Sequence, residues 1–97
     1  MSIQLDEVFA EIKWLASRYP EIEKIVLYGS RARGDHKPHS DIDLCVFAPA
    51  EFKKDFREFA ARVDNIFTHY SFDIVFFPQI TNEVLKDAIL TERVELC

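Results

Sequence analysis

Ile25-Val26-Leu27-Tyr28-Gly29-Ser30-Arg31-Ala32-Arg33-Gly34 is a short apolar run closed by a polar segment flanked by two glycines. The first four residues read as a buried strand. The segment between Gly29 and Gly34 is long enough for about one helical turn. Asp35-His36-Lys37-Pro38-His39-Ser40 is a loop by composition. Asp41-Ile42-Asp43-Leu44-Cys45-Val46-Phe47 then alternates with period two. Ile42, Leu44 and Val46 fall on one side; Asp41, Asp43, Cys45 and Phe47 fall on the other.

Working outward, Leu5, Val8, Phe9, Ile12, Leu15, Ala16 and Tyr19 recur at helical spacing, so a helix is expected over roughly 5–19, ended by Pro20. After Ala48-Pro49-Ala50, Phe52, Phe56, Phe59, Val63, Ile66, Phe67 and Tyr70 follow the same spacing and predict the strongest helix of the chain. Ser71-Phe72-Asp73-Ile74-Val75-Phe76-Phe77 reads as a third strand, stopped by Pro78. Thr81 or Asn82 is placed to cap a last helix carrying Val84, Leu85, Ala88 and Ile89. Helix, strand, short helix, strand, helix, strand, helix is an α/β order: a small mixed sheet with helices packed on it.

The length is 97 residues, so a single domain spanning 1–97 is expected, with no room for a second, substrate-binding one. An apolar fraction of 48% supports a real core and excludes disorder. A net charge of −5 argues against duplex nucleic acid and against an anionic membrane surface as partners. It leaves room for a small anion held locally by a metal and a loop. The N-terminal segment lacks a signal-peptide pattern, and no apolar run approaches the ~18 residues of a membrane span. Cys45 and Cys97 are too few for a disulfide framework, so both are expected as reduced thiols in a cytoplasmic protein.

Aspartate is depleted in strands, yet Asp41 and Asp43 stand two apart in an apolar one, with Cα atoms roughly 7 Å apart on one face. Two carboxylates so placed repel each other unless a cation joins them, and a hard, oxygen-seeking ion such as Mg²⁺ would do so. Asp73 interrupts another apolar strand. Should the two strands pair as neighbours, it would complete a cluster able to hold two ions, an arrangement suited to phosphoryl and nucleotidyl displacement. Gly29-Ser30 adds a turn where a phosphate can approach backbone N–H groups and a hydroxyl, with Arg31 and Arg33 nearby. Metal plus nucleoside triphosphate fits the two features together.

Gly29 to Gly34, with Ser40-Asp41-Ile42-Asp43-Leu44, resembles the signature of the DNA polymerase beta-type nucleotidyltransferase superfamily, and the small size resembles its minimal nucleotidyltransferase (MNT) branch. The likeness runs from about Ile25 to Phe77. It implies Asp41, Asp43 and Asp73 as metal ligands and catalytic groups, two Mg²⁺ ions, and ATP or another NTP as substrate. It implies Gly29, Ser30, Arg31, Arg33 and Ser40 around the nucleotide. It further implies transfer of AMP to a tyrosine of a small helical HEPN toxin, with this chain as the antitoxin. Larger relatives carry an added helical domain for the base or acceptor. One wall of the site is therefore expected to be open and closed by a partner protein, with a homodimer as a further assembly.

A binding module that neutralises its partner by contact alone, with little or no catalysis, is the alternative. A phosphorylated receiver-like domain is disfavoured, because it would need no Gly-Ser ahead of the carboxylates. His36 and His39 read as solvated loop residues and His69 as a dipole-compatible residue near the end of the long helix. Trp14 falls beside the apolar stripe of the first helix, as a flank or a partner contact. Cys45 reads as packing rather than as a nucleophile.

Overall fold

In the computed structural model, which describes residues 5–35, 37, 41–66 and 68–97, four strands form one sheet in the order β3-β2-β1-β4. The elements along the chain are α1 (Leu5–Ala16), β1 (Lys24–Tyr28), α2 (Ser30–Arg33), β2 (Ile42–Phe47), α3 (Lys53–Asp64), β3 (Phe72–Phe76), α4 (Glu83–Glu92) and β4 (Val94–Glu95). A 3₁₀ turn over Ala50–Phe52 leads into α3, and another over Phe77–Gln79 follows β3. β1 pairs antiparallel with both β2 and β4, whereas β2 and β3 run parallel. The expected mixed α/β architecture is what forms.

Period two sorts the strands onto two faces. Ile25, Leu27, Ile42, Leu44, Val46 and Phe76 pack under α1 and α3, against Val8, Ile12, Leu15, Phe59 and Val63. Tyr19 closes the gap between those helices: its ring stands edge-on to Phe59 at 5.5 Å, and its hydroxyl donates to Glu58 at 2.5 Å. Val26, Tyr28, Cys45, Phe47 and Val75 occupy the opposite face, where Ile89 and Leu85 of α4 cover them. α4 starts where the sequence places a cap: Asn82 Oδ1 accepts from the N–H groups of Val84 and Leu85.

The first helix stops at Ala16 rather than continuing to Tyr19. Ser17 Oγ donates to the Trp14 carbonyl, and Tyr19 N–H donates to the Ala16 carbonyl, tightening the end into a turn ahead of Pro20. The long helix ends at Asp64, not near Tyr70. Asn65 caps it, yet Ile66 and Tyr70 still pack against the same core from irregular backbone, so their spacing continues while the helix does not. His69 consequently lies beyond the helix, exposed in a bend, and not at a helix end. The sequence reading also missed β4. It adds an edge to β1, where Leu96 N–H donates to the Ile25 carbonyl at 2.8 Å. Trp14 is exposed, with the Arg18 guanidinium over its ring.

Candidate active site

The strand register aligns Tyr28, Asp43 and Asp73 in one row across β1, β2 and β3. Neighbouring strands lie ~4.8 Å apart, so two carboxylates and a phenol share one edge of the face that α4 covers. Asp41 stands just before β2, exposed to solvent. α4 covers the Tyr28 end of that row and the row beyond it, where Tyr28 and Cys45 are buried against Ile89. The carboxylate end of that face is left open.

β1 delivers the chain into this row through Gly29. Its φ of 77° and ψ of −154° fall in a region only glycine adopts without strain. A Cβ at this position would stand 2.5 Å from Asp43 Oδ2. Glycine is therefore required twice, for the turn and for the approach of the Asp43 carboxylate to the backbone. α2 follows at once. Its N–H groups from Ala32 and Arg33 donate to the Gly29 carbonyl, and Gly34, at φ 85°, ends it in the left-handed region.

Charge accumulates on Asp43. Partial burial raises its pKa above the usual carboxylate value, Asp73 and then Asp41 add to the rise, and Arg31 and Arg33 oppose it. The Tyr28 hydroxyl is pushed up by burial and by Asp73 and Asp43, so it stays protonated. Burial raises the Cys45 thiol to about 12, which fits packing and not nucleophilic chemistry.

The other expected site residues are distributed differently. Arg33 is held by Glu92 of α4 at 2.7 Å and by Asp35 at 3.1 Å, so it clasps α2 to α4. The Arg31 guanidinium lies 5.2 Å from the centre of the Tyr70 ring. Ser30 opens α2, half-buried beside Gly29. Ser40, His36 and His39 lie outside the described residues. The sequence reading missed Tyr28 as a member of the row. Its register opposite Asp43 follows from β1 and β2 pairing antiparallel across the Gly29 turn, and that pairing was the available signal.

The donor set is oxygen-only, doubly or triply anionic and partly shielded from water, which suits a divalent cation such as Mg²⁺. As the side chains stand, no three His, Cys, Asp or Glu among the described residues converge tightly enough to hold one. No helix among the described residues is long and apolar enough to cross a membrane.

A strand–glycine turn–helix unit thus stands beside the strand that Asp41-Ile42-Asp43 leads into, with a third aspartate on the next strand. The polymerase beta nucleotidyltransferase family model matches residues 10–97, and the chain belongs to that family. Among solved structures, a mutant of the toxin–antitoxin MntA-HpeT shares 28% identity at a TM-score of 0.71, covering 97% of this chain and 73% of that one. A toxin–antitoxin with AMP-PNP is similar at 21% identity and a TM-score of 0.63, over 97% of this chain and 73% of that one. The tri-AMPylated Shewanella oneidensis HEPN toxin in complex with MNT antitoxin gives 20% identity and a TM-score of 0.60, over 97% of this chain and 72% of that one. The last two likenesses bear on the fold alone. No curated protein matches the chain.

Proposed function

We propose that this chain is a Mg²⁺-dependent nucleotidyltransferase that moves AMP from ATP to a hydroxyl, a tyrosine of a HEPN-type partner, and thereby acts as the partner's antitoxin. The observation that carries the reading is the row of Tyr28, Asp43 and Asp73 beside Gly29, whose missing Cβ lets the Asp43 carboxylate approach the backbone of the Gly29 turn. Family membership supports the chemistry. The structural neighbours, complexes of HEPN toxin and MNT antitoxin with one toxin tri-AMPylated, support the partner and the product.

In this reading Asp41, Asp43 and Asp73 would hold the metal, and Gly29 and Ser30 would meet the triphosphate. The bound ions would neutralise charge on the phosphates as it develops. Asp73, on the sheet edge, takes the proton of the acceptor hydroxyl. The hydroxyl oxygen bonds to the α-phosphorus while the bond from that phosphorus to the bridging oxygen breaks, and pyrophosphate departs. Tyr28 stays protonated at the β1 end of the row, beside Asp43.

The test is incubation of the chain with Mg²⁺ and α-labelled ATP, with and without a HEPN partner. Label is expected on the partner and is expected to fall by roughly 10²–10⁴-fold in Asp43→Asn and Asp73→Asn. A stable complex without label, neutralised equally well by both variants, would establish the contact-only reading instead.

A further inference from the structure

The carboxylate row ends at an open strand edge, and that edge is built as a groove. Among the described residues β3 is the outermost strand on its side of the sheet. Ile42 N–H donates to the Ser71 carbonyl at 2.8 Å, so the polar backbone groups of Ser71, Asp73 and Val75 turn toward β2. By alternation those of Phe72, Ile74 and Phe76 turn outward. Beside them lies a cavity of 410 Å³, walled by Phe56 of α3, by Ile74, Val75 and Phe76, and by Ile80 and Leu85 on the α4 side. Three consecutive strand residues line it, so it follows the strand rather than sinking into one face.

We propose that this groove is the acceptor subsite: an extended segment of the partner protein adds to β3 as a further strand and so presents its hydroxyl to Asp73. The proposal rests on the nucleotidyltransferase reading for the role of the hydroxyl, though not for the docking itself. The observations favour an extended peptide over other occupants. Outward backbone donors and acceptors suit main-chain pairing, with side-chain pockets alternating along the strand. The edge sequence Phe72-Asp73-Ile74-Val75-Phe76 carries one charge and no proline or lysine, whereas exposed edges are normally blunted by such residues. The opposite edge, β4, is blunted by its two-residue length. Charge argues against a second copy. Each chain carries a net charge of −5, and pairing two β3 edges would bring two equally acidic chains together with an Asp73 carboxylate of each near the seam.

The geometry sets a register. Asp73 and Val75 point to the same face, so a segment residue level with Asp73 has its same-face neighbour two positions along, level with Val75. The acceptor segment therefore carries an apolar side chain two residues from the hydroxyl, seated by Val75 and Leu85.

Two short fluorescein-labelled peptides test this, each with one tyrosine, one with leucine two residues away and one with leucine adjacent. Fluorescence anisotropy with the full chain should show the first binding about tenfold tighter or more. Its amide shifts in NMR spectra should centre on Ile74–Phe76. Leu85→Glu should weaken it by about tenfold, and so should Thr81→Arg, at an exposed residue that lines the groove outside the core. Asp73→Asn should leave binding intact. Where transfer to the partner is measured, Thr81→Arg should raise KM and leave kcat. Register-dependent binding without any transfer overturns the nucleotidyltransferase reading and sustains the groove. Equal binding of both peptides, shifts centred elsewhere, or concentration-dependent dimerisation abolished by Leu85→Glu without peptide binding would each overturn the groove.

Discussion

The two faces of the sheet differ in cover and in content. Under α1 and α3 every inward strand residue is apolar, and Ile25, Ile42, Leu44 and Val46 are fully buried there. The face under α4 has one helix for the same breadth of sheet. It is apolar where that helix lies, at Val26, Tyr28, Cys45 and Val75. Beside Tyr28 the row changes to Asp43 and Asp73. The same strands thus carry a packing surface on one side and a charged site on the other, because successive residues point to opposite faces. The closed face supplies stability, and the open face holds carboxylates that oppose one another until something positive joins them.

The largest effect is expected from emptying the closed face. Phe59 is fully buried and meets the Tyr19 ring edge-on. Phe59→Ala should cost about 3–5 kcal/mol, a large share of the stability of a small domain, measured by urea denaturation. A midpoint close to wild type would mean that the two faces contribute alike.

Gly29→Ala probes the junction between backbone and open face. The added Cβ meets Asp43 Oδ2 at 2.5 Å on a backbone with φ of 77°. A loss of about 1–3 kcal/mol is expected, together with loss of nucleotide binding, checked by thermal melting and by calorimetric titration with Mg²⁺–ATP. A variant that melts and binds as wild type would remove Gly29 from the site.

The smallest effect has the opposite sign. Burial, Asp73 and Asp41 raise the native pKa of Asp43 above its unfolded value. Between those two values the native state binds more protons than the unfolded state, so stability falls as pH rises through that window and the full penalty remains above it. In metal-free buffer at pH 7, Asp43→Asn should therefore melt higher than wild type. The gain should vanish once the pH drops below about 3.9, the ordinary aspartate value. Equal melting temperatures at both pH values would mean that the open face carries no electrostatic strain.

Much of this contrast was legible beforehand. The alternation in Ile42–Phe47 assigned each side chain to its face, and an aspartate inside each of two apolar strands marked the site. The ion pair of Arg33 was not legible. In the sequence Arg33 reads as positive charge beside the Gly29-Ser30 turn, and only the return of α4 brings Glu92 to within 2.7 Å of it. The end of the long helix was misread because Ile66 and Tyr70 keep helical spacing after Asn65 has ended the helix, the core accepting them from irregular backbone.

The sequence by itself determined the elements that depend on neighbours along the chain: strand alternation, the Gly29 turn, a helix cap at Thr81 or Asn82, and Asp43 on the strand face away from Ile42 and Leu44. Tertiary structure alone decided which strands adjoin. Parallel pairing of β2 with β3 put Asp73 level with Asp43, antiparallel pairing put Tyr28 on the other side, and the outer place of β3 opened a groove beside them. Those placements come from backbone hydrogen bonds and core packing between segments far apart in the chain, whose register follows from burying one whole face at once and not from any local run of residues.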